Sequence, residues 1–127
     1  MASTKIKRSP EMYLVGYYLA RRTLLNADGH PLPPSSLGTA SWTKAYELFH
    51  STLADGRTLR SFGRSLKNVR DTFDAFFDNG RHGWVPEQAS PDRLTGLARE
   101  VWDEWSGRDD FALEARIAGL KRPAARR

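Results

Sequence analysis

Three aspartates, three histidines and a crowd of arginines among aromatics are where this sequence could hold chemistry. Asp71, Asp74 and Asp78 recur every three or four residues, which puts them on one face of a helix. Acids in a row can hold Mg²⁺ for phosphodiester cleavage. Lys67 and Arg70, however, stand four residues before the first two and are placed to neutralise them. His30, His50 and His82 are scattered, none has a second histidine at metal-ligand spacing, and the chain has no cysteine. The frame of an HNH nuclease cannot be assembled from them, and no zinc site is expected. There is no Gly-rich phosphate loop and no nucleophile elbow. The chain therefore reads as a binder rather than an enzyme, with no metal and no cofactor expected. Disulfides are excluded, which fits a cytoplasmic protein.

What remains is cations mixed with aromatics. Arg57, Arg60, Arg64, Lys67, Asn68, Arg81 and His82 are the candidate DNA contacts. Arginine pairs bidentately with guanine, asparagine with adenine, and all the cations can meet phosphates. Tyr13, Tyr17, Tyr18, Trp42 and Trp84 are the candidates for an aromatic pocket. Such a pocket would suit a base carrying a methyl group, as in 5-methylcytosine. Burying one methyl is worth about 0.8 kcal/mol, so strong discrimination would need a close fit as well. A competing expectation keeps the tyrosines in the core with their hydroxyls at its rim.

These residues must be positioned by helices. In the stretch from Arg57 to Trp84, Leu59, Phe62, Leu66, Val69, Phe73 and Phe77 follow the helical period, with Thr58 as N-cap and Gly80 just past the end. Its other face carries arginines at the start and aspartates in the last turns. That order opposes the helix dipole, at a cost of up to ~1 kcal/mol per exposed charge. A phosphate-facing surface would need that arrangement, because free backbone N–H groups at a helix start also attract anions.

The first helix spans residues 10–25, capped by Ser9 with Pro10 at its first position, and is apolar nearly all round. Residues 26–37 form a loop whose prolines should block both helix and ladder. A second helix within residues 38–54 starts near Ser41 and buries Trp42, Ala45, Tyr46, Leu48, Phe49 and Leu53. Ser90 caps a fourth, and Asp109 or Asp110 a short last one. Residues 90–120 read as scaffold with an acidic outer face that repels a polyanion and orients it. A short strand near Ile6 or residues 83–85 would be the one β element.

The expected architecture is mainly α: a single small domain of about five helices at residues 10–120, between basic tails at 1–9 and 121–127. The 127 residues suit one domain, and no apolar run reaches the 18 residues of a membrane span. Net charge is +5. Residues 1–89 hold 12 Lys/Arg against 8 Asp/Glu, and residues 90–120 hold 4 against 7. A basic body beside an acidic segment points to a polyanion on one face.

The stretch TLRSFGRSLKNVRDTFDAFFDNGRHGW, with PEMYLVGYYLARR and SWTKAYELF before it, resembles a small actinobacterial DNA-binding domain. That domain is similar to the N-terminal part of McrA-type, modification-dependent restriction endonucleases. The resemblance covers residues 9–86 and implies recognition of modified DNA, chiefly 5-methylcytosine, without the HNH part. The expectation is a sequence-tolerant reader of double-stranded, methylated DNA, cytoplasmic and nucleoid-associated. Two alternatives stay open: a protein-interaction or regulatory module, and a metal-dependent nuclease using Asp71 and Asp74.

Overall fold

A computed structural model describes residues 9–53, 56–74, 76–77 and 94–121. Among these the chain is mainly helical: α1 (Pro10–Arg21), α2 (Trp42–Leu53), α3 (Leu59–Asp74), α4 (Gly96–Trp105) and α5 (Asp110–Ala118). Two short strands, β1 (Leu24–Leu25) and β2 (Pro31–Leu32), lie between α1 and α2. No described helix is long and apolar enough to cross a membrane.

Local chemistry sets most helix starts. Ser9 Oγ accepts the Met12 N–H at 3.2 Å, with Pro10 at the first helical position. Ser41 Oγ accepts from Lys44 N at 3.2 Å, and Thr58 Oγ1 from Ser61 N at 3.1 Å. Asp109 accepts from Ala112 N at 2.8 Å. Each satisfies an amide that the first helical turn leaves unpaired. α4 opens at Gly96 with Thr95 before it. Leu94 and Thr95 are not helical, so α4 starts later than the expected cap at Ser90, and α3 ends at Asp74, short of the expected stop at Gly80. Ser90 and Gly80 themselves, and the strands expected near Ile6 and residues 83–85, lie outside the described residues.

α1 is shorter than its apolar pattern implied. It ends at Arg21, and the Thr23 hydroxyl bonds back to the Leu19 carbonyl. Leu24 and Leu25 then leave the helix and pair antiparallel with Leu32 and Pro31. Asn26 closes the turn: its Oδ1 accepts from Asp28 N at 2.8 Å and His30 N at 3.0 Å, and its own N–H donates to His30 O. Gly29 supplies the left-handed residue, with φ +81°. Pro31 does not block this ladder, because a two-residue pairing makes few demands on its missing N–H.

α1 is the core of the molecule. Met12, Leu14, Val15, Tyr17, Tyr18, Leu19 and Ala20 are all buried. α3 packs along α1 and α2 packs on α3, while α4 and α5 cover other parts of α1. The α1–α3 crossing is close at Gly16, where a Cβ would come within 2.4 Å of Val69 Cγ1. α3 presents Phe62, Leu66, Val69 and Phe73, each fully buried, with Phe77 packed at the edge. The Tyr17 ring meets Phe73, Phe77 and Trp102 edge-on, with centroids 5.4, 5.7 and 5.9 Å away.

Candidate nucleic-acid interface

The face of α3 opposite its core stripe carries Arg60, Arg64, Lys67, Asn68 and Asp71. Their spacing keeps them on one side of the helix, and all five are exposed. Arg60 and Arg64 make no hydrogen bond or ion pair with the described residues. The first turn holds no acid and the last turn no base, so Arg60 stands in a first turn whose dipole favours anions, with Arg64 one turn further on. Lys67 Nζ is paired with Asp71 Oδ2 at 2.9 Å, as its spacing implied.

Arg57 stands apart from this row. It is half-buried, its Nη1 lies 3.8 Å from Met12 Sδ, and its carbonyl is 2.8 Å from His50 Nε2. The His50 ring also lies edge-on to Phe62. These contacts give Arg57 and His50 a part in joining α2, α3 and α1. Arg81, His82 and Trp84 lie outside the described residues.

Among the described residues the candidate aromatics do not gather beside the candidate cations. Tyr17 is 1% and Tyr18 0% exposed. The Tyr17 hydroxyl accepts from Arg21 Nη1 at 2.8 Å. That of Tyr18 lies 2.6 Å from Ser36 Oγ and donates to Glu114 Oε1 at 3.1 Å. Burial raises both phenols above their ordinary pKa; for Tyr18 the neighbouring Glu114 carboxylate adds to the rise. Tyr13 is partly buried against the core.

Trp42 already has a flat cation on its face. The Arg70 guanidinium stacks over the indole, 3.9 Å from the ring centroid, and lies 5.9 Å from the Tyr46 centroid. Arg70 is 2% exposed and faces Asp74 at 4.0 Å. The indole Nε1 donates to the Pro31 carbonyl at 3.3 Å. Trp42 thus binds the hairpin, α2 and α3 together. A helical wheel carried the signal: Arg70 follows Leu66 by four and precedes Phe73 by three, on the border of the apolar stripe. The i,i+4 relation to Asp74 suggested a surface pair, whereas packing against α2 makes it an inner one. Asp71 and Asp74 consequently sit in different surroundings, one exposed beside Lys67 and the other 11% exposed beside Arg70. Among the described residues no cluster of three or more His or acidic side chains could hold a metal.

A second polar cluster was not evident from the sequence. Arg21 bonds the Trp105 and Arg108 carbonyls at 3.0 and 2.7 Å and pairs with Asp110 at 3.0 Å. Arg22 pairs with Asp110 at 2.9 Å and Glu114 at 3.3 Å. Glu114 also accepts from Ser36 at 2.8 Å. The acids expected to form an outer face on residues 90–120 are largely engaged: Asp110 and Glu114 with α1, Asp103 with Arg99, and Glu104 with Arg108. Alternating Arg and Asp/Glu in separate helices gives no local signal, because the partners are about ninety residues apart.

Comparison with known proteins finds no matching family model, no matching curated protein and no matching solved structure.

Proposed function

We propose that this chain binds double-stranded DNA through the exposed N-terminal half of α3, with Arg60 and Arg64 on the phosphates and Lys67 and Asn68 at the edge of the footprint. The observation that carries the reading is the open pair Arg60 and Arg64, one helical turn apart with no described partner, at a helix start that holds no acid. Solvated charges with no structural task that also oppose the helix dipole favour an anionic partner over a role in folding. The exposed stripe carries no aromatic, so the face suits the rails of a duplex rather than the stacked bases of a single strand.

Recognition of a modified base is the finer part of the proposal and rests on the sequence resemblance. The buried tyrosines and the Arg70-covered Trp42 leave no open aromatic wall among the described residues. Fluorescence anisotropy on matched unmodified and 5-methylcytosine duplexes, with single strands beside them, tests both parts. The reading expects duplex above single strand, and methyl preference is the ratio of the two duplex affinities. Failure to bind any duplex at 50 mM salt would remove the reading.

The protein-interaction alternative has one observation of its own. Phe111 is 83% exposed, and Leu24 and Leu25 are 43% and 46% exposed. Salt-insensitive binding to a protein, with none to DNA, would favour it.

A further inference from the structure

The outer stripe of α3 changes sign along its length. Arg60 and Arg64 stand open, whereas one turn later Lys67 is held by Asp71, Nζ to Oδ2 at 2.9 Å, with side chains 50% and 39% exposed. Resting on the duplex-binding reading above, we propose that Asp71 sets the edge of the DNA face, both by holding Lys67 and by placing a fixed negative charge where the phosphate track would continue.

Three observations carry this. Asp71 lies on the same side of α3 as Arg60, Arg64 and Lys67, so a rod of phosphates laid along the stripe meets it next. An exposed i,i+4 ion pair adds little to folding. The nearby Asp74 is turned away beside Arg70 and cannot serve the same purpose. Like charges brought together at an interface fix register and orientation more than affinity. Asp71 therefore confines the duplex to the N-terminal half of the helix and keeps Lys67 out of the phosphate count.

α4 supplies a matched control. Arg99 and Asp103 form an i,i+4 pair at 3.0 Å, with side chains 41% and 59% exposed, on a different helix. The experiment measures affinity of the full chain for one duplex across a salt series, for wild type, Asp71→Asn, Asp71→Glu and Asp103→Asn, with helicity checked by circular dichroism. Asp71→Asn should bind more tightly at each salt concentration, with a log–log slope steeper by about 0.9, the value of one further neutralised phosphate. Asp71→Glu and Asp103→Asn should keep the wild-type slope. An unchanged slope in Asp71→Asn, or the same steepening in Asp103→Asn, overturns the boundary role while leaving duplex binding in place. A wild type that binds no duplex overturns the underlying reading, and this one with it.

Discussion

Arg70 shows how one side chain can redirect the meaning of its neighbours. Its guanidinium lies under 4 Å from the Trp42 centroid and is shielded from water, so the cation–π contact is of the desolvated kind, on the order of 2 kcal/mol. Trp42→Ala should leave a buried cation uncovered and lower stability by roughly 2 kcal/mol or more, read by urea unfolding. DNA affinity of the folded variant should stay unchanged, since Trp42 is spent inside the molecule. Tyr18 gives a second prediction. Its folded-state pKa is raised by burial, so the native state holds the phenolic proton more tightly than the unfolded chain does. Stability is then fully present below the ordinary tyrosine pKa near 10.0 and declines as pH rises beyond it. Tyr18→Phe should flatten that alkaline decline in a series of unfolding curves, even if it lowers stability at neutral pH by losing Ser36 and Glu114. An unflattened decline would place the titration elsewhere. The sequence showed that three tyrosines were too many for a dry core without partners. It could not show the partners, because Glu114 lies ninety-six residues from Tyr18.

At the scale of elements, three helix starts were legible, whereas the start of α4 and the ends of α1 and α3 were not. Ser9, Ser41 and Thr58 each act within three residues of their own position, so spacing alone located them. The α3 core stripe was legible for the same reason, since one periodic face meets one partner. Leu24 and Leu25 look helical in sequence, yet Asn26 and Gly29 make a hairpin turn cheaper than continuing the helix, and that competition is not written in periodicity. The crossing of α1 and α3 depends on the missing side chain at Gly16. Gly16→Ala would gain helix propensity but drive its methyl into Val69 Cβ and Cγ1, at 2.9 and 2.4 Å. Overpacking should win, lowering stability by about 1–3 kcal/mol in thermal or urea unfolding. Gly16→Ala combined with Val69→Ala should recover only the part due to Val69 Cγ1, because the Cβ at position 69 and the Arg70 backbone N, at 2.9 and 3.1 Å, remain.

At the scale of the whole molecule, the charges of the described residues are sorted by use. Arg21, Arg22, Asp110 and Glu114 fasten the end of α1 to α5, and Arg70, beside Asp74, is folded into the contact with α2. What is left open on α3 is Arg60 and Arg64, with Asn68 beside them. Net charge and its division along the chain pointed to a polyanion. They overstated how many cations were available, because composition counts a buried arginine and an exposed one alike. The central claim is that the two open arginines of α3 grip duplex phosphates. Its most direct measurement is the salt dependence of duplex affinity for wild type and Arg60→Ala/Arg64→Ala. The account predicts weaker binding to modified and unmodified duplexes alike, with a log–log slope shallower by about 1.8, two phosphates at roughly 0.9 each. A double variant that keeps wild-type affinity and slope would contradict it.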